Sequence, residues 1–535
     1  MVRGRVAGLS RVAGMLVWSG AVALSGGAQA QTSVQEQIGR IEIQIAELQA
    51  QIDRLKNQSI VEAAPAVPAL TKAVVPPAIA ELSTGGGAQG TELLKPGQIR
   101  VGSSLVSLGG FVDASMVFRL HNLMADVGTP FASLPFQSQG DVGRNTELRG
   151  SARASRLSLR IDDGNGPDGA RLSAYGEIDF LGEVGDGANM RQVNGYQPRL
   201  RQAWMAADSG GDSGFLLLAG QAYSLVTPGR GKGMAGLQEA LPPVVDDQAV
   251  VGTDFARQWQ VRVVKDLGPV SLGVSIENPQ TLWGNAIMPN GFTRFVATSV
   301  PHSSLGTTPI SLDEVPDVAF KLTLDKSFGQ FELFGLSRVF RLDDGPNGGT
   351  VSTTSLAGGV NARVPVSTNL DLSGSFSYGT GLGRYGAAQL PDATSDSAGK
   401  PVAIKALHAQ AGLVYHPSSR WSAYLFGGVE MANEAGTDNV GGQIFGYGNP
   451  VRMNDGCTGS VTALERGLAF CNGDTQRVLE IAAGGWWTLH QGLQGRLQIG
   501  SQVDYVRRTL FADLNGLAPS ADNWLLFTSL RYTPF

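Results

Sequence analysis

The sequence contains few cysteines, few charged residues and, beyond its first thirty residues, no long apolar run. Two cysteines in 535 residues exclude a disulfide-dense scaffold, and the five histidines form no cluster that would indicate a metal site. Charged residues make up 16% of the chain and the formal net charge is −5, a balance that gives no support for nucleic-acid binding. No run of about eighteen apolar residues follows the N-terminal region, so we expect no transmembrane helix in the mature chain, and we expect no cofactor.

Residues 1–30 have the layout of a secretory signal peptide. Arg3, Arg5 and Arg11 precede an apolar stretch at 12–24, and the Ala-Gln-Ala at 28–30 matches a cleavage site. A membrane-anchor helix is the alternative, but the apolar stretch is too short and ends in that small-residue motif. The sequence therefore predicts export.

Residues 31–58 are predicted to form a coiled coil, because apolar residues recur there with alternating spacings of four and three. The core positions are Val34, Ile38, Ile41, Ile45, Leu48, Ile52 and Leu55. Isoleucine at every a position, Ile41 at a d position and mostly glutamine at e and g favour three helices over two. An amphipathic helix packed on another surface is the alternative. Residues 59–104, rich in Ala, Pro and Gly, are predicted to be an extended linker.

From residue 105 to Phe535 the sequence is an alternation of short two-sided segments, with gaps that are by turns short and long. The sixteen segments are 105–118, 152–161, 171–180, 199–206, 215–223, 257–266, 270–277, 317–327, 330–341, 351–364, 370–378, 404–416, 421–432, 475–489, 493–506 and 523–535. In 270–277, Val, Leu, Val and Ile alternate with Ser, Gly, Ser and Glu. A membrane β-barrel has lipid on one side of each strand, water on the other, and tight turns at one rim only. We predict an all-β fold, a 16-stranded antiparallel transmembrane β-barrel over 105–535.

Aromatic residues and the C-terminus fit a barrel of an outer membrane. Tyr415 and Trp421 flank a short gap, whereas Tyr505 and Trp524 flank a long gap, which predicts two interfacial aromatic girdles. The terminal Phe535 resembles the signal that the outer-membrane assembly machinery recognises. These features predict an outer membrane of a Gram-negative bacterium, with lipid and lipopolysaccharide around the barrel and the coiled coil in the periplasm.

The two cysteines, Cys457 and Cys471, fall in one long gap. Because export brings them into an oxidising compartment, we predict a disulfide that closes this loop. The alternative is a pair of free thiols.

Arginines on the polar faces of the predicted strands are candidates for lining a pore. In sixteen-stranded general porins the loop after the fifth strand folds into the barrel, and here that loop is 224–256. The predicted pore-lining residues are Arg156, Arg160, Arg201, Arg230, Lys232, Asp246, Asp247 and Arg496. Opposed charges across a constriction create a transverse field, and arginines bind carboxylates in a bidentate manner, so we expect selectivity for small anionic solutes. The alternatives are a solvated surface loop, and arginines that only pair with Glu177 and Asp179.

Four motifs carry a resemblance to a known family. They are Arg156-Leu-Ser-Leu-Arg160, Ala174-Tyr-Gly-Glu-Ile-Asp-Phe180, Leu200-Arg-Gln-Ala-Trp204 and Leu218-Ala-Gly-Gln-Ala-Tyr223. With the coiled-coil start, they make the chain resemble the DcaP-like trimeric porins over nearly its whole mature length. The resemblance implies sixteen strands, a homotrimer of barrels, a periplasmic coiled coil and uptake of small organic acids.

Three other functions compete with an anion-selective porin. A sugar-selective porin with a coiled-coil extension requires a lumenal track of aromatic side chains, and the sequence offers only scattered candidates such as Tyr175 and Tyr424. A structural tether between outer membrane and periplasm requires a wall-binding domain, and none is visible. An outer-membrane hydrolase requires a Ser–His pair near one rim, and none is convincingly placed, so we expect a protein that is not an enzyme.

Overall fold

A computed structural model describes residues 94–535 apart from several short segments. The segments left out are 124, 137–144, 164–169, 183–196, 210–213, 232–238, 285–291, 295, 298–309, 312, 345–347, 458–470 and 472. The predicted signal peptide (1–30), the predicted coiled coil (31–58) with its core residues, and the predicted linker as far as residue 93 all lie outside the described residues.

Sixteen antiparallel strands form one closed barrel. They are β1 (Ser104–Arg119), β2 (Arg156–Asp163), β3 (Arg171–Asp179), β4 (Arg199–Asp208), β5 (Phe215–Tyr223), β6 (Arg257–Asp266), β7 (Val270–Glu277), β8 (Asp317–Lys326), β9 (Gly329–Asp344), β10 (Gly349–Ser367), β11 (Leu370–Thr380), β12 (Lys405–Ser418), β13 (Trp421–Ala432), β14 (Thr475–Gly492), β15 (Gly495–Leu510) and β16 (Ser520–Thr533). Each strand pairs with the next, and β16 pairs with β1 from Val112↔Tyr532 to Arg119↔Leu525. Closure leaves no free sheet edge. The predicted sixteen-stranded barrel is confirmed.

Smaller strands and single 3-10 turns accompany the barrel. The strands are Gln98–Val101, Glu147–Ser151, Phe292–Arg294, Val296–Ala297, Ile310–Ser311, Ala393–Ser395, Pro401–Ala403, Asn439–Val440 and Gln443–Ile444, and the turns are Phe131–Ser133, Gly383–Tyr385 and Asp455–Cys457. Gln98–Val101 pairs with the start of β1, so strand pairing begins inside the range predicted as linker. Glu147–Ser151 pairs with the end of β1, while β2 pairs with its first half, so the strand predicted at 152–161 is in fact interrupted at 152–155.

The barrel wall has its apolar side chains outside and its polar side chains inside. Along β7, Leu272, Val274 and Ile276 are exposed, whereas Ser271 and Glu277 are buried. In a water-soluble protein this arrangement would be reversed, because burial of apolar surface drives folding. It fits a wall with lipid outside and a polar lumen inside. Among the described residues, no helix has the length and apolar character needed to cross a membrane.

Aromatic pairs lie on the outer surface near both rims. Trp421 and Trp487 stack with their ring centroids 5.1 Å apart near the end where the short turns lie. Tyr505 and Trp524 pack at 5.1 Å near the end where the long loops lie. Trp421 and Trp524 are each about half exposed, at 51% and 50%. These positions are typical of the two interfacial aromatic girdles of a membrane barrel.

The connections follow the predicted alternation with one difference. Residues 345–348 between β9 and β10 form a gap of only four residues at the long-loop end, although the sequence suggested a longer one, because β9 and β10 extend further than their apolar pattern. Both cysteines lie in the connection 433–474 at that end. Cys457 and Cys471 form a disulfide there, with their Cα atoms 4.5 Å apart.

Candidate functional site

The described residues of the loop between β5 and β6, 224–231 and 239–256, lie inside the barrel, against the wall opposite the loop's own strands. Its peptide N–H groups donate to lumenal side chains of β13, β14 and β15. These hydrogen bonds are Val245 N to Tyr424 Oη (3.2 Å), Asp246 N to Gln502 Oε1 (3.4 Å), Val251 N to Glu480 Oε2 (2.7 Å) and Gly252 N to Glu430 Oε1 (2.9 Å). The described residues of this loop therefore narrow the lumen, and we call 224–256 the constriction loop.

Close backbone approach fixes the constriction loop to the wall. A Cβ added at Gly428 of β13 would overlap the carbonyl oxygen of Val251, and one added at Gly252 would overlap the carbonyl of Ala409. Gly252 also has a positive φ of 87°, which disfavours any other residue. Val245, Val250 and Val251 pack on Phe426 and Ala482 within one apolar cluster. The loop is thus packed against the wall and not only hydrogen-bonded to it.

Two further connections from the long-loop end turn inward onto the constriction loop. The first connection is 381–404. Its Tyr385 carbonyl accepts a hydrogen bond from the peptide N–H of Phe255 (3.0 Å), and its Ala388 N–H donates to Glu430, the same carboxylate that binds Gly252 N–H (3.0 Å). Within 120–136, Thr129 donates its hydroxyl proton to Asp246 Oδ2. Sequence reasoning missed both connections, because an inward loop has neither helical nor strand periodicity.

A second group of buried polar residues, which sequence reasoning also missed, supports these contacts. His408 Nδ1 lies 2.6 Å from Asp254 Oδ1, which joins β12 to the constriction loop. Arg338 forms ion pairs with Asp317 (3.0 Å) and Asp392 (2.7 Å), which joins β9 to the connection 381–404. The alternation in β9 and β12 would have placed Arg338 and His408 inside, but their partners come from loops whose path the sequence does not reveal.

Arginines on β2 and β4 line a polar part of the barrel wall, which we call the basic wall. Arg156 Nη1 lies 3.7 Å from Glu177 Oε2, and its guanidinium lies 5.3 Å from the ring centre of Phe111. Arg160 pairs with Asp162 at 2.6 Å, with both side chains about one-third exposed. Both arginines alternate with the exposed Leu157 and Leu159, as predicted, so they lie on the lumenal face.

Arg201 is buried at a β-bulge in β4. The register between β3 and β4 shifts at Glu177, so Arg201 and Gln202 both face inward. Arg201 Nε donates to Glu177 (2.6 Å), while its Nη1 and Nη2 donate to Asp179 (2.8 Å) and Tyr223 Oη (3.1 Å). Pairing with Glu177 and Asp179, the alternative considered above, thus holds for this arginine.

The constriction loop presents carboxyl groups to this basic wall. Burial raises the pKa of Glu239, an effect that the positive charges of Arg156 and Arg201 oppose. Burial likewise raises the pKa of Asp247, which the charges of Arg531 and Arg156 oppose. These carboxyls of the loop thus lie within electrostatic reach of lumenal arginines.

The remaining predicted pore residues occupy different places. Asp246 is buried against Thr129 and not in the lumen, and Arg230 is exposed near Arg363. Lys232 lies outside the described residues. Arg496 is exposed at the short-turn end of β15, where it lines a cavity with Arg420. The basic wall thus contains Arg156, Arg160 and Arg201, while Arg496 lies apart from them.

Arg531 on β16 is a lumenal arginine that sequence reasoning did not single out. Its Nε donates to Asp113 Oδ2 (2.6 Å), and its guanidinium lies 4.2 Å from the ring centre of Phe111 and 4.5 Å from that of Trp486. The alternation in β16 was the available signal, but Pro534 interrupts the pattern at the C-terminus and conceals the register of the last residues. The strand ends at Thr533, so Pro534, which has no N–H to donate, lies beyond the ladder.

Solved structures with a similar fold are outer-membrane channels. The outer membrane channel DcaP of Acinetobacter baumannii aligns with a TM-score of 0.55 and 16% identity, over 81% of this chain and 97% of that chain. OmpT of Vibrio cholerae aligns with a TM-score of 0.44 and 8% identity over 82% and 99% of the two chains, and OprB of Pseudomonas putida with 0.42 and 11% over 80% and 94%. No protein-family model matches the sequence. No curated protein matches it either. The chain therefore has the fold of an outer-membrane channel, in agreement with the resemblance found in its motifs.

Proposed function

We propose that this chain is an outer-membrane porin, a water-filled channel through which small hydrophilic solutes diffuse passively, with a preference for carboxylate anions. A closed barrel with an apolar exterior supports a membrane channel. A loop packed across the lumen supports size selection. The fold that it shares with the channel DcaP is consistent with both.

One observation carries the anionic preference, namely the basic wall of β2 and β4. Its three arginines are held by carboxylates on β2 and β3, and Arg156 and Arg160 remain partly exposed to the lumen. Glu239 and Asp247 of the constriction loop lie within electrostatic reach of them, and burial raises the pKa of both carboxyls. A solute with a carboxylate gains attraction and bidentate hydrogen bonds at such a wall.

The proposal includes the assembly suggested by the sequence. Three barrels associate in the outer membrane among lipid and lipopolysaccharide, after the assembly machinery has recognised Phe535. The short turns face the periplasm, where residues 31–58 form the coiled coil. Support comes from the heptad pattern of 31–58 and from the sorting of short and long connections to opposite rims.

Ion selectivity in planar bilayers tests the proposal. We expect the wild-type channel to prefer chloride over potassium in a salt gradient, and Arg156→Gln to reduce this preference. One charge about 7 Å from a passing ion in water changes its energy by roughly 0.6 kcal/mol, which corresponds to a change of about threefold in permeability ratio. Lys265→Gln is the matched control, because Lys265 Nζ lies outside the barrel, 4.2 Å from the ring centre of Phe215.

Two results would contradict the proposal. A wild-type channel that prefers cations would exclude the anionic preference while leaving a porin. Proteoliposomes that show no swelling with any small solute would exclude the porin and favour a structural tether.

A further inference from the structure

A separate cavity of about 450 Å³ opens at the short-turn end of the barrel. It is lined by the ends of β12–β15, by the turn between β10 and β11 and by the turn between β12 and β13. Three basic side chains contribute to its lining, namely His416, Arg420 and Arg496, and no aspartate or glutamate is among the lining residues. We call this cavity the vestibule.

Hydrogen bonds hold the wall of the vestibule without using its guanidinium groups. The peptide N–H of Thr488 donates to the carbonyl of Arg420 (2.8 Å), and Gln498 Nε2 donates to Thr488 Oγ1 (3.1 Å). In the part of the chain that the structure describes, neither Arg420 nor Arg496 forms an ion pair, and both are exposed. Two positive charges thus face a polar cavity of the size of a small organic molecule, uncompensated by any carboxylate.

The vestibule lies directly beneath the constriction loop. Trp486, one of its lining residues, donates its indole Nε1–H to the carbonyl of Pro243 in that loop (2.9 Å). The guanidinium of the lumenal Arg531 also lies next to Trp486, 4.5 Å from its ring centre. A solute that has passed the loop therefore meets the vestibule next.

We propose that the vestibule is a second anion-binding site, which holds solutes bearing carboxylate or phosphate groups as they leave the constriction. The inference rests on the proposed channel function and adds a site that the basic wall of β2 and β4 does not include. Arg420 and Arg496 provide the forked donors that match such anions, and the absence of a carboxylate leaves them available. Because the site concentrates anions on the short-turn side, it should make block of the channel by anions differ between the two sides of the membrane.

The experiment compares two double variants that each remove two exposed arginines, one pair from each end of the barrel. Arg420→Gln/Arg496→Gln removes both charges from the vestibule. Arg477→Gln/Arg507→Gln removes two charges at the long-loop end of β14 and β15, where both residues are exposed. All four positions are exposed, so both variants are expected to fold, which heat-modifiable migration on gels verifies.

Block of the channel current by citrate or inorganic phosphate, added to one side at a time, gives the first readout. We expect the wild-type current to be blocked at lower concentration from the short-turn side. This sidedness disappears in Arg420→Gln/Arg496→Gln, with block there weaker by roughly tenfold, and persists in Arg477→Gln/Arg507→Gln. Equal block from both sides of the wild type, or sidedness that survives in the vestibule variant, would overturn the inference.

Calorimetric titration of the purified protein with the same two anions gives a readout that does not depend on conduction. Binding that is lost in Arg420→Gln/Arg496→Gln supports the site even if the barrel conducts nothing, in which case the proposed channel function alone fails. Binding that is unchanged in this variant overturns the site while leaving the channel intact. Comparison of citrate with phosphate decides which anion class the vestibule prefers.

Discussion

At the scale of single residues, the arginines of the lumen differ in how much the barrel depends on them. Arg201 is buried and donates to Glu177, Asp179 and Tyr223, whereas Arg160 forms one pair in which both side chains are about one-third exposed. Removing one partner of a buried ionic network leaves uncompensated charge, which costs about 3–5 kcal/mol, whereas an exposed pair contributes about 1 kcal/mol or less. Arg201 is therefore mainly a structural group, and Arg156 and Arg160 are the two arginines that we propose act on solutes.

We predict that Arg201→Gln lowers the temperature at which the barrel unfolds in detergent, measured by heat-modifiable migration, and that Arg160→Gln leaves it nearly unchanged. Adding Glu177→Gln to Arg201→Gln should restore part of the loss, because the carboxylate that has lost its nearest cation, keeping only Arg156 at 3.7 Å, is then replaced by a neutral amide. Equal unfolding temperatures for the two single variants would contradict the buried network. A double variant less stable than Arg201→Gln would show that packing, and not charge, is responsible.

At the scale of elements, the constriction loop is held by the fit between its backbone and the inner wall. Gly427 and Gly428 are neighbours on β13 that face opposite sides. A Cβ at Gly428 would overlap the carbonyl oxygen of Val251, whereas a Cβ at Gly427 would come no closer than 3.9 Å to its nearest neighbour, the carbonyl oxygen of Glu480. Adjacent positions thus offer a test of loop docking with an internal control.

We predict that Gly428→Ala displaces the loop from β13 and raises the single-channel conductance, while Gly427→Ala conducts like the wild type. Overpacking of this kind costs about 1–3 kcal/mol, which is enough to free a loop without unfolding a sixteen-stranded barrel. An unchanged conductance in Gly428→Ala would mean that the loop does not limit the current. A change in both variants would point to the strand and not to the loop.

The docked loop should also respond to pH through Asp246. Burial raises the pKa of Asp246 to about 6 from an ordinary value of 3.8, despite hydrogen bonds from Thr129 and Gln248. The docked state therefore binds the proton more tightly than a released loop. Docking is favoured while Asp246 is protonated and weakens as the pH rises through about 6. We expect more current fluctuation at about pH 7.5 than at about pH 4.5, and Asp246→Asn to remove this difference. A difference that persists in Asp246→Asn would assign it to other carboxyls.

Strands were predictable from the sequence to a degree that loops were not. The bounds of β5, β6, β7 and β13 match their predicted segments residue for residue, because a strand between lipid and water must alternate. The bulge at Arg201 and the break before β2 were not foreseen, since a shift of one residue leaves the local composition unchanged. Of the pore residues, Arg156 and Arg160 required only this alternation. The contacts of Asp246 and the vestibule of Arg420 required the paths of loops, which no periodicity encodes.

At the scale of the whole molecule, the barrel has two kinds of interior. Two large apolar clusters fill the space between the inward connections and the wall, and a smaller one lies on β4 and β5, while Arg156 and Arg160 on β2 keep charged groups facing the lumen. Close packing on one side holds the loops in place, and the polar side is left to water and solutes. One closed hydrogen-bonded sheet surrounds both kinds of interior. The strand pairings described for this barrel all lie within residues 94–535.

The last prediction separates the barrel from the predicted coiled coil. A chain that retains its signal peptide but lacks 31–93 should still insert and conduct like the wild type, because the described pairings all lie within 94–535. The proposed trimer should then dissociate at a lower temperature on native gels, since the three-helix coiled coil predicted at 31–58 would keep the local concentration of barrels high. A chain that lacks only 59–93 is the control and should keep the wild-type dissociation temperature. Equal temperatures for all three chains would exclude a role of residues 31–58 in assembly, and failure of the shortest chain to conduct would show that the barrel depends on them.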